Sequence, residues 1–377
     1  FARLVQAVHE TAERDLRTEV IKPGGWCHSL YFTPMVLEAG FVHAITGDPV
    51  ALAHVTRQIA KLARVYADPP QSFFKEIPGL KSNKPSAYFS NAHTCLAARL
   101  CQDALPAESY RTLAELARTR LIADHHDPRY FFTHWNAGHN AVVTHVIAGA
   151  ICALLFGEET GHPETEQVIT YGRDACDMHL TWAFDDQGSP HEGPMYSLVT
   201  LEWVYFYADL LKRHGREDLF KTMPKLAVVA QAAAEMQLPG IIGFSGFADS
   251  RRLITQQMMP WLLLTAREYE RPQDLALWRE AANDPASGLP HQAQRVTGGG
   301  VLDLLWWDGQ EPTRKVAEQG FPTAFFGLGT AVAVLRSSWS AEAVCLYALG
   351  QGRSHQVPDH THADAGHFSL YAYGDYL

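Results

Sequence analysis

Hydrophobic residues recur with helical spacing through about the first three quarters of the chain. Apolar positions at i, i+3, i+4 and i+7 mark the face of a helix that packs on other elements. Short stretches rich in Pro, Gly and Asp separate these segments, as is typical of helix ends and tight connections. The pattern therefore predicts about ten helices that pair as helical hairpins. The segments are 3–19, 34–46, 49–67, 86–104, 107–122, 139–156, 163–181, 194–214, 217–237 and 252–269.

Some of these helices carry aromatic residues on more than one face. The segment 194–214 includes Trp203, Tyr205, Phe206 and Tyr207. A helix that is apolar beyond a single stripe is covered on several sides. The chain shows no sharp repeat at a fixed period, which disfavours an open helical solenoid. We therefore expect a mainly α protein in which residues 1–295 form an incomplete (α/α) toroid, a ring of helical hairpins.

The pattern changes after three consecutive glycines at 298–300, and the Trp-Trp-Asp-Gly sequence that follows indicates a linker or loop. Alternating apolar positions and β-branched residues then predict strands at 330–337, 343–349 and 367–373. Three strands alone make a poor sheet. We expect residues 296–377 to form a linker and the beginning of an antiparallel β-sandwich. Because the chain begins with Phe rather than Met, we also expect it to be cut from a longer protein.

Composition and charge exclude some classes of partner. The chain is 47% hydrophobic and 19% charged, as in globular proteins, and its formal net charge is −10. A nucleic-acid surface needs a basic face to displace counterions, so we expect no nucleic-acid partner. No stretch reaches the roughly 18 to 20 continuous apolar residues of a membrane span, and we expect no membrane partner. An acidic protein can still hold a local basic or His-lined cleft for an acidic polysaccharide, and a homodimer is compatible with the sequence.

The cysteines are scattered and form no CxxC motif. Most lie in apolar helical segments, which predicts buried free thiols and fits a reducing compartment. The chain shows no signal-peptide pattern, but its first residue leaves the compartment open between the bacterial cytoplasm and the periplasm or exterior. The six cysteines are Cys27, Cys95, Cys101, Cys152, Cys176 and Cys345.

The sharpest local motif is the HxHxD sequence formed by His360, His362 and Asp364. Two imidazoles two residues apart lie on the same side of an extended segment, which suits a metal ligand beside a catalytic base. The alternative is a His-rich surface loop. Metallo-β-lactamase-type hydrolases also carry HxHxD, but they need a His directly after the Asp, where this chain has Ala365. The helical bulk of the chain also contradicts their fold.

A second motif, DDQGSPHEGPMY, occupies 185–196. Acidic residues, a glycine turn and then Glu-Gly-Pro before an apolar helix are typical of a loop that leads into a helix. Tyr196 falls in the first turn, where the helix dipole favours the phenolate. The alternative for a single helical Tyr is a core residue. A different reading of the motif is a pair of hydrolytic carboxylates, with Asp185 or Asp186 acting beside Glu192.

A third motif, FFTHWNAGHN at 131–140, precedes a long apolar helix. Amide and imidazole donors at a helix start can neutralise a carboxylate, and His139 and Asn140 supply them. The alternative is a helix cap with packed aromatics. Together, the three motifs contain the groups that uronate β-elimination requires. The reaction needs a donor for the carboxylate, a base for the adjacent proton and an acid for the leaving oxygen.

Four segments in this order resemble the heparinase II/III superfamily, which includes oligoalginate lyases and heparinases of polysaccharide lyase families 12, 15, 17 and 21. They are HWNAGHN at 134–140, DDQGSPHEGPMY at 185–196, FPTAFFGLGTAVAVLRSSW at 321–339 and HTHADAGHFSLYAYGDYL at 360–377. The resemblance implies a helical toroid followed by an antiparallel β-sandwich. It also implies cleavage of uronate-containing chains by β-elimination, which leaves a 4,5-unsaturated uronate end.

The resemblance also implies roles for individual residues. Tyr196 matches the catalytic Tyr of the family and His360 its catalytic His, while His139 or Asn140 matches the donor that neutralises the substrate carboxylate. His362 matches a ligand of a structural divalent metal, usually zinc, whose other ligands we expect beyond the last residue. The residues expected to contact the substrate are Trp135, Asn136, His191, Glu192 and Arg251.

Two further classes of function stay open at this point. An α/α-toroid glycoside hydrolase with paired carboxylates would leave the HxHxD motif and the predicted strands without a purpose. A non-catalytic glycan-binding protein would tolerate the loss of Tyr196. Among lyase substrates, alginate oligomers and heparin-type or other glycosaminoglycans are all compatible with the sequence, as are exo and endo action.

Overall fold

The chain is mainly helical, with one antiparallel sheet near its carboxyl end. This order confirms the predicted change from helices to strands. A computed structural model describes residues 1–17, 35–67, 88–122, 140–241, 243–245, 247, 260–283, 300–350 and 364–377.

Contacts between residues divide the chain into two compact units. The first unit contains Phe1–His134, Thr144–Ala175 and Val296–Leu304. The second contains Trp135–Val143, Cys176–Arg295 and Leu305–Leu377. The two domains expected from the sequence, 1–295 and 296–377, were separated where helices give way to strands and not by contacts between residues. That domain boundary stays a prediction.

The first unit is built from helices. Five of its helices are α1 (Ala2–Arg17), α2 (Val36–Thr46), α3 (Pro49–Ala67), α4 (Tyr88–Leu100) and α5 (Ala107–Leu116). A π-helical turn continues α5 over Ala117–Leu121. Both units contain parts of α6 (Asn140–Thr160), α7 (Thr165–Trp182) and α13 (Val301–Trp306).

Local signals explain the helix ends in this unit. The break predicted between 46 and 49 separates α2 from α3, where Gly47 ends α2 with φ 72°. Asp48 then caps α3, because its Oδ1 accepts the backbone N–H of Val50 at 2.8 Å and of Ala51 at 3.0 Å. Such a cap satisfies donors that have no partner within the helix. The boundary is therefore encoded in a few adjacent residues.

The helix α6 is the most apolar long helix of the described chain. Its segment Val142–Thr160 is long and apolar enough to cross a membrane by length and composition alone, but 78% of that window is buried inside the structure. Core helices of globular units have the same properties. At its far end, the Arg99 side chain of α4 donates to the carbonyl of Leu155 at 2.9 Å and covers the ring of Phe156.

The helices of the second unit are α8 (Pro194–Arg213), α9 (Leu219–Thr222), α10 (Lys225–Glu235), α11 (Leu262–Glu268) and α12 (Pro272–Asn283). The aromatic residues that predicted coverage on several sides are buried, since Trp203 and Tyr207 are both 0% exposed. Tyr205 stacks on Trp261 with ring centroids 4.8 Å apart, and its hydroxyl donates to the carbonyl of Leu226. The helix α8 is therefore a core element.

Three helical predictions need correction. The segment 217–237 is two helices, α9 and α10, because Met223 is non-helical and Pro224, which lacks an N–H, precedes α10. The helix α12 was not predicted. The stretch expected to be a linker contains part of α13, whose Trp306 is 1% exposed and donates its indole N–H to Asp209 at 3.0 Å.

The sheet is an antiparallel meander in which each strand pairs with the next along the chain. The three predicted strands are present as β2 (Val332–Arg336), β3 (Cys345–Leu349) and β4 (Phe368–Ala372). The strands β1 (Ala324–Gly327) and β5 (Asp375–Tyr376) were not predicted, because each is too short to show an alternating pattern.

The two faces of this sheet differ in exposure. Phe325, Val334 and Tyr347 are paired across β1, β2 and β3, and none is more than 6% exposed. On the opposite face, Phe326 is 52% exposed and Phe368 is 67% exposed. Alternation along the strands therefore gives one buried face and one apolar face that the described residues leave uncovered.

We expect Gly40→Ala to destabilise the protein by about 1–3 kcal/mol, as overpacking does. A Cβ atom at Gly40 in α2 would lie 2.7 Å from the Cα atom of Ala97 in α4. Alanine is the better helix former by about 1 kcal/mol, so helix propensity alone predicts the opposite sign. Denaturant unfolding followed by circular dichroism measures the difference.

The control for this variant is Ala44→Gly, because Ala44 lies on the exposed side of the same helix. It should lose no more than about 1 kcal/mol, which helix propensity alone explains. A Gly40→Ala protein as stable as the wild type would show that α2 and α4 do not approach this closely.

Candidate active site

A short hairpin, 183–191, leads directly into the helix that carries Tyr196. The backbone N–H of Asp185 donates to the carbonyl of Ser189 at 3.0 Å. The turn between them contains Gly188, whose φ of 82° lies in the left-handed region that favours glycine. The His191 N–H donates to the carbonyl of Ala183 at 2.9 Å, and these two bonds form the antiparallel bridge between Phe184 and Pro190 that closes the hairpin.

The Asp185 side chain is the centre of this hairpin and is 7% exposed. Its Oδ1 accepts the backbone N–H of Gln187 at 3.0 Å and of Ser189 at 2.8 Å. Its Oδ2 accepts the backbone N–H of Gly329 at 3.0 Å and of Thr330 at 3.3 Å. An ionised carboxylate offers about four lone-pair sites, so four backbone donors use its full capacity.

Two further bonds join the same hairpin to the turn between β1 and β2. The hydroxyl of Thr330 donates to the Ser189 hydroxyl at 2.6 Å. The backbone N–H of Leu328 donates to the side-chain carbonyl of Gln187 at 3.1 Å. We call this set, the side chains of Asp185, Gln187 and Ser189 with residues 328–330, the Asp185 bracket.

Glycines make the bracket sterically possible. A Cβ atom at Gly327 would lie 2.3 Å from the Cβ atom of Ser189, and one at Gly329 would lie 2.7 Å from the Cβ atom of Asp185. Real Cβ atoms do not approach this closely, so any side chain at either position would displace the turn. The Gly-Leu-Gly-Thr sequence at 327–330 is therefore matched to the hairpin.

The hairpin ends two residues before α8 begins. Glu192 is 0% exposed, and Gly193 turns the chain with φ 78°. Pro194 is the first residue of the helix, a position where its fixed φ fits and its missing N–H costs nothing. Tyr196 lies in the first turn, as predicted, and its side chain is half-buried.

Charged groups lie close to the hairpin. The Lys225 ammonium at the start of α10 donates to the carbonyl of Phe184 at 2.9 Å. Burial lowers the pKa of the Lys225 side chain. Burial also lowers the pKa of His191, which the Asp185 carboxylate raises in part and the Lys225 charge lowers further. The His191 imidazole is therefore neutral at pH 7.

A small cavity lies beneath the hairpin, but it is lined by apolar groups. Phe184 and Pro190 line it from the hairpin, Pro194 and Leu198 from α8, and Val229 from α10. A saccharide needs several polar partners for its hydroxyl groups. We therefore assign this cavity to the core and not to substrate binding. Its walls pack the first turns of α8 against the hairpin.

Only some of the predicted catalytic and substrate-binding residues lie in the described chain. Tyr196, His191 and Glu192 do, and so does Asn140, which is the first residue of α6 and half-buried. The grouping of Tyr196 with the other predicted catalytic residues stays a prediction. The predicted residues outside the described ranges are Trp135, Asn136, His139, Arg251, His360 and His362.

The structure also bears on metals and thiols. No group of three or more His, Cys, Asp or Glu side chains suited to a metal ion occurs within the described ranges. His362, the predicted ligand, lies outside those ranges, so the zinc expectation stays a prediction.

Five cysteines are in the described chain, and all five are buried free thiols, as the sequence predicted.

The Asp185 bracket changes the interpretation of the acidic pair in the sequence motif. A nucleophile or general base needs an accessible lone pair, whereas both Asp185 oxygens already accept two N–H donors each. Asp185 is thus a structural group. The sequence motif contains this residue but does not reveal its partners in the sheet turn, because they lie 144 and 145 positions away. The glycine spacing in Gly-Leu-Gly-Thr was the available signal.

Comparison with models of known protein families and with curated proteins gave no match. Comparison with solved structures gave several. The heparan sulfate lyase HepC from Pedobacter heparinus is 15% identical with a TM-score of 0.52, over 90% of this chain and 47% of that one. A heparinase III structure is also 15% identical with a TM-score of 0.53, over 90% and 48%. A second heparinase III is 12% identical with a TM-score of 0.51, over 96% and 52%.

These similarities define the fold of this chain. It has a heparinase-like fold, shared across nearly its whole length at low sequence identity. The chain spans about half the length of the solved structures it matches. The resemblance seen in the sequence motifs is therefore confirmed at the level of the fold.

We expect the His191 ring to titrate below its ordinary value of 6.5, because burial disfavours the imidazolium. The unfolded chain then takes up this proton at a higher pH than the folded chain does. Stability should fall as the pH drops below 6.5. Histidine ring resonances followed by NMR, with His191→Gln for assignment, give the midpoint. A midpoint at or above the ordinary value would contradict the burial of this ring.

Proposed function

We propose that this chain carries the catalytic machinery of a polysaccharide lyase that cleaves uronate-containing chains by β-elimination. The observation that carries the proposal is the position of Tyr196. It lies in the first turn of α8, four positions after the buried Glu192, in a chain with a heparinase-like fold. A phenol at the positive end of a helix can exchange a proton readily, because the helix dipole stabilises the phenolate.

The proposed reaction has three parts. His139 or Asn140 donates to the uronate carboxylate, which stabilises negative charge on the adjacent carbon C5. A base, either His360 or Tyr196, removes the C5 proton. The electron pair left on C5 forms the C4–C5 double bond, the bond between C4 and the glycosidic oxygen breaks with its pair on the oxygen, and Tyr196 protonates that leaving oxygen. Trp135, Asn136, His191, Glu192 and Arg251 are the residues proposed to surround the sugar.

The first substrates to test are heparan-type chains, since the matched structures are described as a heparan sulfate lyase and heparinases. Alginate oligomers come second, because the sequence motifs also resemble those of oligoalginate lyases. A panel of uronate polymers separates the two, since a lyase leaves a conjugated double bond that absorbs in the near ultraviolet. Product size over time distinguishes exo from endo action.

The proposal extends to the architecture. The helical hairpins would form an incomplete (α/α) toroid, and the sheet would be one layer of an antiparallel β-sandwich. The apolar outer face of the sheet supports the second part, because Phe326 and Phe368 are more than half exposed on it. An apolar face of this kind is normally covered by another layer.

We also propose a structural divalent metal, zinc first, held in part by His362. Imidazole and carboxylate groups together are a donor set that zinc accepts. Bound zinc would contribute folding energy near the HxHxD segment.

A glycoside hydrolase is the main competing function. With Asp185 held in the bracket, a hydrolase would have to use Asp186, which is exposed, with Glu192, which is fully buried. A hydrolase adds water across the broken bond and leaves no double bond. A non-catalytic glycan-binding protein would bind the polymer without forming any product.

We expect Tyr196→Phe to lower turnover by about 100-fold or more, because it removes only the hydroxyl that transfers the proton. The thermal midpoint should change little, since the ring is retained. The matched control is Tyr373→Phe, at a tyrosine that is 81% exposed in the turn between β4 and β5, and it should keep wild-type turnover. Near-wild-type turnover in Tyr196→Phe would remove this residue from the mechanism.

We expect the full-length protein to contain about one zinc ion per chain, and His362→Ala to lose it. Elemental analysis gives the ratio, and thermal unfolding should show a lower midpoint after chelation. The control is His367→Ala, because His367 is an exposed histidine five positions away. A metal-free protein that is fully stable and active would overturn the proposal.

A further inference from the structure

The Asp185 bracket joins the sheet to the hairpin that precedes α8. We propose that Asp185 is a positioning residue, whose carboxylate fixes the first turn of α8 and thereby the hydroxyl of Tyr196. The sheet would then take part in catalysis through this junction. The inference rests on the proposed function of Tyr196, but its structural half can be tested without any substrate.

The first step is that the carboxylate holds the hairpin and the sheet turn in one geometry. It accepts two N–H groups from the hairpin and two from the β1–β2 turn, at 2.8–3.3 Å. Hydrogen bonds to an ionised acceptor are stronger than those between neutral groups. Since the side chain is 7% exposed, water cannot replace these donors easily. We therefore expect all four hydrogen bonds to Asp185 to persist in solution.

The second step leads from the hairpin to Tyr196 along a short, stiff backbone. His191 is fixed by its N–H bond to the carbonyl of Ala183, and Glu192 is fully buried. Gly193 has a left-handed φ of 78°, and the proline ring fixes the φ of Pro194. Little freedom remains between the hairpin and the first helical turn.

The third step is a second connection through packing. Pro194 and Leu198 of α8 face the same apolar cavity as Phe184 and Pro190 of the hairpin. A displacement of the hairpin would therefore move the first turns of α8 by contact as well as through the chain. Gly188 limits such displacement on the other side, because a Cβ atom there would lie 2.8 Å from the carbonyl oxygen of Val228 in α10.

Small displacements matter for this chemistry. A shift of about 1 Å in a reacting group can cost about 100-fold in rate. In Asp185→Asn, an amide NH₂ replaces one oxygen and faces N–H donors that it cannot accept. One half of the bracket, either to the hairpin or to the sheet turn, then loses its acceptor. Either loss would loosen the geometry in which the carboxylate holds the hairpin and the sheet turn, while the bonds of Gln187 and Ser189 to residues 328–330 remain.

A double-mutant cycle tests the inference. Asp185→Asn should lower kcat by about 10- to 100-fold with KM changed by less than about threefold. In the Tyr196→Phe background, the same substitution should cause no further loss, because the misplaced hydroxyl is already absent. The matched control is Asp177→Asn, an exposed carboxylate in α7, which should keep wild-type kcat. Equal losses in both backgrounds, or no loss at all, would overturn the positioning role.

A second pair of variants covers the case in which Asp185→Asn does not fold. Thr330→Val removes the hydroxyl that bonds to Ser189 at 2.6 Å but leaves the carboxylate in place. It should lower kcat in the same direction by a smaller factor, and Thr330→Ser should restore it. Loss of kcat in both variants alike, or in neither, would contradict the inference.

Hydrogen exchange separates this inference from the proposed function. If the wild type cleaves no uronate polymer, the proposed function fails, yet the structural coupling is still measurable. Thr330→Val, and Asp185→Asn where it folds, should speed amide exchange both at 328–331 and at 192–200, and Asp177→Asn at neither. Faster exchange confined to 328–331 would show that the bracket does not reach α8, and would overturn the inference whatever the activity.

Discussion

One buried carboxylate connects two parts of the second unit that are far apart in sequence. Asp185 accepts four backbone N–H groups, two from its own hairpin and two from the turn between β1 and β2. A buried N–H group left without an acceptor costs about 1–3 kcal/mol, so removal of this side chain would strand several at once. The crowding at Gly327 and Gly329 adds a steric requirement to the electrostatic one. The junction therefore depends on both the charge of the Asp185 carboxylate and the lack of a side chain at Gly327 and Gly329.

The candidate site is built on that junction. The hairpin that Asp185 holds continues into the buried Glu192 and the helix start at Pro194, which places Tyr196 in the first turn of α8. The β-elimination that we propose rests on a tyrosine in this position of the fold. The acidic pair that suggested a hydrolase is accounted for differently, because Asp185 is used for structure.

Local signals in the sequence predicted much of this arrangement. The helix starts at Pro49 and Pro194, the break between 46 and 49 and the three central strands all follow from residues close together in the chain. The break at Pro224, the short strand β1 and the partners of Asp185 were missed. The break at Pro224 was hidden because apolar spacing continues across the proline. The partners of Asp185 depend on a contact across 144 positions, which no periodicity shows.

The central claim is that the chain breaks a glycosidic bond by elimination. Cleavage of a uronate polymer in water enriched in heavy oxygen, followed by mass spectrometry, tests it most directly. Elimination adds no water, so the product masses should sum to the substrate mass, and no heavy oxygen should enter either new chain end. Products that together gain one water, with the heavy label at the new end, would contradict the account and establish a hydrolase.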